Sequence, residues 1–265
     1  MSSAPRVSVL IGCWNNAGTL EKAARSILDQ TFADLELVVV DDGSTDATGD
    51  VARSLGDDRV RYLQLPHMGI SPSLNAGLRE ARADLVAIQD ADDWSEPQRL
   101  ERQVALLDER PDVAVVGCRM FEVDEHGDPL APRTAFATGD VRPVLMRFNP
   151  IPNSCVCLRR QAALDVGGYD PRYLYAMDYD LWLRMAERHG VVTLDEPLAT
   201  RFMSGSNVAA RKERAQIAET ISMRARALWR RRTLRGAEGL VLPAISYLTP
   251  LPLKRRLRRR LGQAP

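Results

Sequence analysis

The chain lacks the features that mark several common classes of protein. Its 265 residues contain four cysteines with no CxxC pair, so no thiolate zinc site is indicated. The three histidines lie far apart in sequence, and we predict that none of them is a zinc ligand. No secretion-type signal segment precedes Val7. We therefore expect a reduced, intracellular, cytoplasmic protein whose thiols pack as small core residues.

Two further absences concern nucleotides and membranes. Neither GxGxxG nor GxxxxGK[ST] follows a predicted strand, so the diphosphate of a bound nucleotide would be neutralised mainly by a metal ion. The apolar stretch at residues 240–253 is interrupted by three prolines and is shorter than the roughly 20 residues that a membrane span needs. A membrane-spanning helix is therefore not predicted.

The near-zero net charge conceals two regions of opposite sign. Residues 201–265 contain 16 Lys and Arg against three Asp and Glu, which gives +13, so residues 1–200 carry −12. This asymmetry predicts an anionic partner for the basic part, most densely charged at residues 254–261. We expect peripheral contact with an anionic membrane at the inner face of the plasma membrane. A solvated arginine tail is the alternative, and nucleic acid is not expected because no aromatic-rich surface accompanies the charge.

The chain does contain a regular alternation of strand and helix patterns over its first 110 residues. Apolar runs that begin at residues 7, 35, 60 and 85 predict buried strands, with amphipathic stretches between them. Such alternation is typical of one α/β domain with a mainly parallel sheet. Polar residues follow three of these strands: Asn15 and Asn16, Asp41 and Asp42, Asp90 and Asp92. Because ligands of such sheets bind beyond the carboxyl ends of the strands, we predict an active site there.

The fourth predicted strand ends in three carboxylates within four positions. Side chains alternate along an extended backbone, so Asp90 and Asp92 are predicted to point the same way and Asp93 elsewhere. Two close like charges repel unless a cation lies between them, and Mg²⁺ or Mn²⁺ held by one or two carboxylates completes its shell with substrate phosphates. This pattern predicts a divalent metal site. The alternative is an acidic helix start, because residues 95–97 have the composition of one.

A further carboxylate lies in the helix predicted over residues 175–189. The apolar face of this helix contains Leu181, Trp182, Met185 and Ala186. Asp178 falls on the same face, at spacings of three, four and seven from Leu181, Trp182 and Met185. A carboxylate on the inward side of a helix start is either an N-cap or a general base, and the pattern leaves both open. Asp180 is predicted to be solvated.

In this order, the motifs resemble those of the family 2 glycosyltransferases of GT-A fold, over residues 6 to about 207. The donor half carries Val7-Ser8-Val9-Leu10-Ile11 with Asn15, Ser26-Ile27-Leu28-Asp29-Gln30-Thr31, Val39-Val40-Asp41-Asp42-Gly43-Ser44-Thr45-Asp46 and Gln89-Asp90-Ala91-Asp92-Asp93. The acceptor half carries Gly167-Gly168-Tyr169-Asp170 and Asp178-Tyr179-Asp180-Leu181-Trp182-Leu183-Arg184. The resemblance implies a Rossmann-like α/β domain over residues 1–207, with a donor half at 1–110 and an acceptor half at 111–207. A basic helical extension over 208–265 follows it.

The resemblance also implies an inverting transfer of a sugar from a nucleoside-diphosphate donor, with a UDP- or dTDP-sugar favoured. The residues implied to bind the nucleotide sugar are Gly12, Cys13, Trp14, Asn15, Asp41, Asp42, Asn75, Asp90, Ala91 and Asp92. Mn²⁺ or Mg²⁺ would be held by Asp92 with Asp90, and Asp178 would be the general base. The acceptor would be a carbohydrate or a lipid-linked molecule, as in cell-surface polysaccharide synthesis, with contacts expected from residues 148–154 and 203–208.

Three positions depart from the pattern of the family. Met177 stands where relatives often have an acid, Met203 where many have a histidine near the diphosphate, and Leu74 where they often have an arginine. Loss of that histidine would weaken the metal site or require another ligand. Two alternatives therefore stay open: a protein that binds a nucleotide sugar without transferring it, and a nucleotidyltransferase on a similar sheet.

Overall fold

The computed structural model describes residues 4–130, 136–203, 208–232 and 236–249, apart from the side chains of residues 208–213. The strands in this part are β1 Val7–Cys13, β2 Leu35–Asp41, β3 Val60–Gln64, β4 Leu85–Asp90, β5 Trp94–Ser95, β6 Val113–Val123, β7 Gly139–Asp140, β8 Cys157–Arg159 and β9 Gly190–Phe202. The helices are α1 Leu20–Leu28, α2 Thr48–Ser54, α3 Ile70–Glu80, α4 Arg99–Glu109, α5 Arg160–Asp165, α6 Met177–Met185, α7 Val208–Arg231 and α8 Val241–Leu248. Short 3-10 helices span Asn153–Cys155 and Ala237–Leu240.

The described strands form one mixed sheet in the order β3-β2-β1-β4-β8-β6-β9-β5, with β7 beside β9. β1 lies parallel between β2 and β4, and β3 continues this parallel part, whereas β8 is antiparallel to β4 and to β6. The register places Gly12 opposite Val40 on one side and Asp90 on the other. The residues that follow β1, β2 and β4 therefore meet at one edge of the sheet, as the sequence predicts.

Apolar side chains pack on both faces of the sheet. Along β1, Val9 and Ile11 enter one cluster and Leu10 enters the other, as the two-residue period of a strand requires. Each such fully buried side chain stabilises the fold by roughly 1.5–3 kcal/mol. The cluster that contains Leu10 and Trp182 also contains residues of α7: Met223, Ala227 and Leu228. The boundary predicted at residue 207 therefore does not separate two cores.

Several predicted elements differ from the structure. The strand β9 was not predicted, because Asp195, Glu196 and Pro197 interrupt its apolar pattern. β-Bulges in its pairing with β6 accommodate this interruption. The amphipathic pattern of the sequence predicts a helix over residues 73–83, and α3 begins three residues earlier, at Ile70, since Pro72 is tolerated in a first turn, where backbone N–H groups lack intrahelical acceptors.

The C-terminal extension differs from its prediction in one detail. The sequence of residues 208–235 predicts a basic helix with an apolar stripe that contains Ile217, Ile221, Ala225 and Leu228. Ala225 is exposed and Leu228 is buried, and the buried face is completed by Met223, Arg224 and Ala227. No helix in the described part of the chain is long and apolar enough to cross a membrane. The basic residues 254–261, and residues 204–207 of the predicted acceptor contacts, lie outside the described residues.

Candidate active site

A cleft of about 350 Å³ opens at the sheet edge where β1, β2 and β4 end. Seven of the predicted nucleotide-sugar residues line it: Gly12, Cys13, Trp14, Asp42, Asp90, Ala91 and Asp92. A Cβ atom at Gly12 would lie 3.0 Å from Ile70 and 3.2 Å from Leu74, so glycine lets α3 pack closely on β1. Leu74, which stands where relatives often have arginine, is buried in this contact.

Asn15 and Asp41 do not line the cleft but fix the loops around it. The backbone of Asn15 has a φ of +56°, a left-handed conformation that asparagine tolerates. Its Oδ1 accepts a hydrogen bond from the Thr45 N–H at 2.8 Å, and its own N–H donates to Ser44 Oγ at 2.9 Å. Asp41 accepts hydrogen bonds from the Ser44 N–H at 2.8 Å and the Tyr62 hydroxyl at 2.5 Å. The loops after β1 and β2 are thereby joined to each other.

Asn75 also lies outside the cleft lining and bridges α3 to the turn at residues 167–170. Its amide donates to the Tyr169 carbonyl and accepts from the Tyr169 N–H, both at 2.7 Å. A Cβ atom at Gly168 would lie 2.3 Å from the Asn75 Oδ1, so this bridge requires glycine there. A contact between Asn75 and a nucleotide stays a prediction, and the side chain already has a structural part.

Asp42 lies at the cleft wall, where its carboxylate holds the loop that precedes α3. Oδ1 accepts hydrogen bonds from the Met68 N–H at 2.8 Å and from Ser73 Oγ at 2.7 Å. Oδ2 accepts from the Gly69 N–H at 2.9 Å, and His67 Nδ1 also lies 2.9 Å away. A carboxylate offers about four acceptor positions. Because these contacts use them, the predicted role of Asp42 in holding the base would require one contact to give way.

An aromatic pair stands at the mouth of the cleft. The rings of Trp14 and His67 are stacked, with centroids 4.8 Å apart and an interplanar angle of 23°. Trp14 is 52% exposed, which leaves aromatic surface free for a planar ligand. Sequence reasoning missed His67 because a single histidine far from Trp14 in the chain has no motif spacing. It also missed Gly69, Ile70 and Ser73, which line the same cleft together with Asn16, predicted at this edge of the sheet, and Met177, the departure next to Asp178.

The three carboxylates after β4 form one cluster. Burial and the charge of Asp92 raise the pKa of Asp90 to about 6, and burial and the charge of Asp90 raise the pKa of Asp93 to about 8. Asp90 and Asp92 line the cleft and Asp93 does not, in agreement with the prediction that Asp93 points elsewhere. Asp93 is buried, with Oδ1 accepting from the Phe202 N–H at 3.1 Å. Burial opposes protonation of the nearby Arg201, yet the charges of Asp93 and Asp90 raise its pKa.

The residues at this cluster fit a divalent cation shared with a substrate. In the described part of the chain, no group of three or more His, Cys, Asp or Glu side chains could hold a metal by itself. The Asp92 residue is exposed at the cleft, and among the described residues its carboxylate accepts a hydrogen bond only from its own backbone. Partial burial raises the pKa of Asp92 and so disfavours its charged form, which an added cation would stabilise. One or two carboxylates plus substrate phosphates are a usual ligand set of Mg²⁺.

Asp178 is the second residue of α6, and the N-cap position belongs to Ala176, so Asp178 is not the N-cap. Its Oδ1 accepts a hydrogen bond from the Tyr179 N–H at 2.7 Å, and its Oδ2 accepts from the Asn149 amide at 3.0 Å. Burial raises the pKa of Asp178 above its ordinary value even though both hydrogen bonds favour the charged form. The carboxylate is therefore oriented, ionisable and partly desolvated, as a general base must be.

The turn before α6 is held by a residue of α7. The Glu219 carboxylate accepts hydrogen bonds from the Leu174 N–H at 2.9 Å, from the Tyr175 N–H at 2.9 Å and from the Ala176 N–H at 3.1 Å. A negative charge near a helix N-terminus also interacts favourably with the helix dipole. Glu219 thus fixes the turn that leads into the helix of Asp178, although the two residues are far apart in sequence.

A second cavity, of about 370 Å³, contains Asp178 in its wall. It is lined by the loop residues Phe148, Asn149 and Pro152, by Tyr175, Ala176 and Tyr179 around the start of α6, by Arg201, and by Gln216, Ile217, Thr220 and Arg224 of α7. The loop residues fall within the predicted acceptor contacts at 148–154. The contribution of α7 was missed, because a basic helix with an apolar stripe gives no sign of lining a cavity.

Buried contacts of two arginines hold together the region around the second cavity. Arg224 donates to the Tyr179 hydroxyl at 3.0 Å and to the Arg147 carbonyl at 2.6 Å. Asp180 is 2% exposed and pairs with Arg184 at 2.7 Å, so the prediction that it is solvated was wrong. Its helix is packed on all sides, and the (i, i+4) arginine compensates the buried charge.

Comparisons with known proteins were made for the sequence and for the fold. The family model described as Glycosyl transferase family 2 matches residues 8–168. The chain is similar to the amylovoran biosynthesis glycosyltransferase AmsE of Erwinia amylovora, with 31% identity over 217 residues, which cover 77% of this chain and 79% of that relative.

Two solved structures have a similar fold. S. aureus TarS 1-349 in complex with UDP-GlcNAc matches with a TM-score of 0.70 and 20% identity, over 84% of this chain and 66% of that chain. The mannosyltransferase PcManGT from Pyrobaculum calidifontis, in complex with GDP-Man and Mn²⁺, matches with a TM-score of 0.65 and 19% identity, over 98% of this chain and 81% of that chain. These likenesses confirm the predicted α/β fold class.

Proposed function

The chain belongs to glycosyl transferase family 2 and is a glycosyltransferase, and we propose that it moves a sugar from a nucleoside-diphosphate donor to an acceptor hydroxyl with inversion at the anomeric carbon. The observation that carries this proposal is that two cavities lie on either side of neighbouring carboxylates. Asp90 lines the first cavity and Asp178 the second, and the charge of Asp178 contributes to the raised pKa of Asp90. Donor and acceptor sites would therefore adjoin.

In this proposal the first cavity is the donor site. The exposed ring face of the Trp14 and His67 pair offers a stacking surface for the base. The acidic end of the cleft, at Asp90 and Asp92, would lie toward the diphosphate. Two likenesses support the assignment of a nucleotide sugar, since TarS and PcManGT are described in complex with UDP-GlcNAc and GDP-Man. A UDP- or dTDP-sugar remains our favoured donor.

The Asp92 and Asp90 carboxylates would hold a Mn²⁺ or Mg²⁺ ion together with the donor. A bound ion of this kind supplies neutralisation of the negative charge that develops on a leaving diphosphate. The free carboxylate of Asp92 and the repulsion between Asp90 and Asp92 support this role. We propose no third protein ligand for the ion, since Met203 stands where relatives often supply a histidine.

Asp178 would act as the general base. The acceptor oxygen attacks the anomeric carbon, its proton moves to an Asp178 oxygen, and the bond from that carbon to the diphosphate breaks, so that the electron pair leaves with the diphosphate. The Asn149 amide and the Tyr179 N–H hold the carboxylate in place during this transfer. Holding the two substrates in line contributes a further part of the acceleration.

The second cavity would receive the acceptor, a carbohydrate or a lipid-linked molecule. Its volume lies within the range of small-molecule sites, and its wall combines amide, hydroxyl and aromatic groups. Membership of a glycosyltransferase family argues against the nucleotidyltransferase left open by the sequence, and a transfer assay distinguishes transfer from binding alone. We also propose that the chain takes part in cell-surface polysaccharide synthesis. Its basic C-terminal residues would contact an anionic membrane.

Calorimetric binding of UDP, dTDP and GDP, with and without Mn²⁺, tests the donor site. We expect one nucleotide to bind tightly only with Mn²⁺, and Asp92→Ala to abolish this binding. The matched control is Asp50→Ala, which removes an exposed carboxylate from α2 outside the cleft and should bind as the wild type does. Binding that is indifferent to both Mn²⁺ and Asp92 would overturn the metal assignment.

A transfer assay then tests the reaction itself. The sugars attached to the preferred nucleotide are offered with simple sugar and lipid-linked acceptors, and the anomeric configuration of the product is read by NMR. We expect an inverted linkage. Retention of configuration would overturn the proposed single displacement with Asp178 as base, while leaving the donor assignment intact.

A further inference from the structure

Exposed apolar side chains are concentrated near the C-terminal end of the described chain. Of the twelve large apolar side chains that are exposed in the described residues, six fall within a stretch of twenty residues: Trp229, Val241, Leu242, Ile245, Tyr247 and Leu248. Trp229 is 82% exposed, Leu242 76% and Leu248 78%. Such a concentration is unusual on a soluble surface and indicates an interaction site.

Helix α8 has its apolar side turned outward. None of its residues is buried. At 100° per residue, Val241, Leu242, Ile245 and Leu248 fall within an arc of about 120°. A surface helix of a globular protein normally turns such a stripe toward the core. These four residues, here called the α8 surface, are all exposed; Tyr247 is also exposed but lies outside this arc, and Pro243, Ala244 and Ser246 are partly covered.

Basic residues precede and follow the α8 surface in the sequence. Helix α7, which packs against α8, ends in Arg230 and Arg231, and Arg232 follows. Arg230 is paired with Glu187, Arg231 is half-buried and Arg232 is exposed. After Glu238 the sequence contains six Lys and Arg residues and no Asp or Glu. A second copy of this chain is a poor partner for the surface, because a symmetric contact would bring the two basic regions together.

We propose that the α8 surface inserts shallowly into an anionic lipid bilayer, with the neighbouring arginines facing the lipid headgroups. Apolar side chains and basic residues in one short region are the combination that interfacial helices use. Trp229, on the adjoining helix, suits the headgroup level. The inference extends the predicted contact of the basic tail to a defined apolar surface, and it does not depend on sugar transfer.

Flotation of the full chain with lipid vesicles tests the inference. Vesicles of phosphatidylcholine are compared with vesicles that also contain phosphatidylglycerol. We expect binding to the anionic vesicles, and we expect the double variant Leu242→Asp, Leu248→Asp to reduce the partition coefficient by at least about tenfold, because apolar burial is lost and negative charge is added. The matched control is Phe121→Asp, which changes a half-exposed aromatic side chain on β6 and should bind as the wild type does.

Two further measurements make the result decisive. Thermal unfolding and Mn²⁺-dependent nucleotide binding should be unchanged in the double variant, since neither leucine is buried or lines a cavity. Light scattering reports whether the chain forms a dimer. Equal binding by the double variant and the wild type, equal binding to neutral and anionic vesicles, or a dimer that the double variant dissolves without any vesicle binding would each overturn the inference. Failure of sugar transfer would leave it untouched.

Discussion

The two cavities of this protein are built in different ways. The proposed donor cleft is made mainly by residues at or just after the ends of three neighbouring parallel strands, and sheet register brings Gly12 and Asp90 together; the start of α3 and Met177 of α6 complete it. The proposed acceptor cavity is made by a loop before β8, the start of α6, the end of β9 and one face of α7. Most of the first follows from local sequence patterns, whereas the second exists only after the whole chain has packed.

The two cavities also differ in how much of each the family model covers. The family model ends at residue 168, so it includes the acidic cluster of the donor cleft but neither Asp178 nor α7. If the two cavities have the proposed separate roles, changes around the first should alter nucleotide binding. Changes around the second should alter transfer while nucleotide binding stays the same.

The largest effect is expected from Asp178→Asn, which keeps the shape of the side chain and removes the base. General acid–base groups contribute about 10²–10⁴-fold in rate, and we expect a loss of that size in the turnover number. Calorimetric binding of the preferred nucleotide with Mn²⁺ should be unchanged. A variant that keeps most of its turnover, or that loses nucleotide binding as well, would contradict the separation of the two sites.

A pH profile sharpens the same point. Burial raises the pKa of Asp178, so its charged form is lost as the pH falls through a value above that of an ordinary aspartate, and turnover should fall about tenfold per pH unit below that point. The Asn149 hydrogen bond lowers this pKa, so Asn149→Ala should move the falling limb to higher pH. Initial rates across the pH range measure both, and an unmoved limb would argue against Asp178 as the group observed.

On the donor side, Trp14→Ala should weaken nucleotide binding by about tenfold, because base–aromatic stacking contributes about 1–3 kcal/mol. The Michaelis constant for the acceptor should not change. Trp229→Ala removes an equally large, exposed ring far from the cleft in sequence and serves as the control in the same calorimetric titration. Equal affinities of the two variants would remove the stacked pair from the donor site.

The smallest effect is expected from Glu219→Gln. The amide oxygen can accept the hydrogen bonds that Oε2 takes from Tyr175 and Ala176, but the amide NH2 cannot accept the one from Leu174, and the negative charge is lost, so we expect turnover to fall severalfold and nucleotide binding to persist. Glu219→Ala, which removes all three hydrogen bonds, should lower turnover further and also lower the melting temperature, because hydrogen bonds to charged groups contribute about 1.5–3 kcal/mol. Glu238→Ala, an exposed carboxylate in the same region, is the control. Identical turnover of Gln, Ala and wild-type forms would refute a positioning role.

These contrasts explain how much the sequence could reveal. The first four strands, the polar residues after them and the helix of Asp178 were predicted, because period-two and helical patterns are local properties. The solvated position predicted for Asp180 was wrong, and the burial of Asp93 was not predicted. In both, burial is decided by partners that no spacing indicates: the Phe202 backbone for one and the packing of α6 for the other.

The acceptor cavity could not be predicted for a related reason. Strand β9 hides behind charged residues and a proline, and α7 reads as a basic helix with an apolar stripe. That Glu219 reaches the backbone before α6, and that Arg224 reaches the Tyr179 hydroxyl, depends on how α7 docks on the core. Docking is the sum of many apolar contacts, none of which has a sequence signature of its own.

The contact between Glu219 and the turn before α6 has a consequence for how acceptor preference can be altered. The same helix supplies one wall of the acceptor cavity and the carboxylate that orients the turn of the base. Exchanging α7 for the corresponding helix of a relative would change selectivity and catalytic rate in a single step. A chimera that gained a new acceptor would therefore also need a matched turn before α6. Helices α7 and α6 would have to be exchanged together.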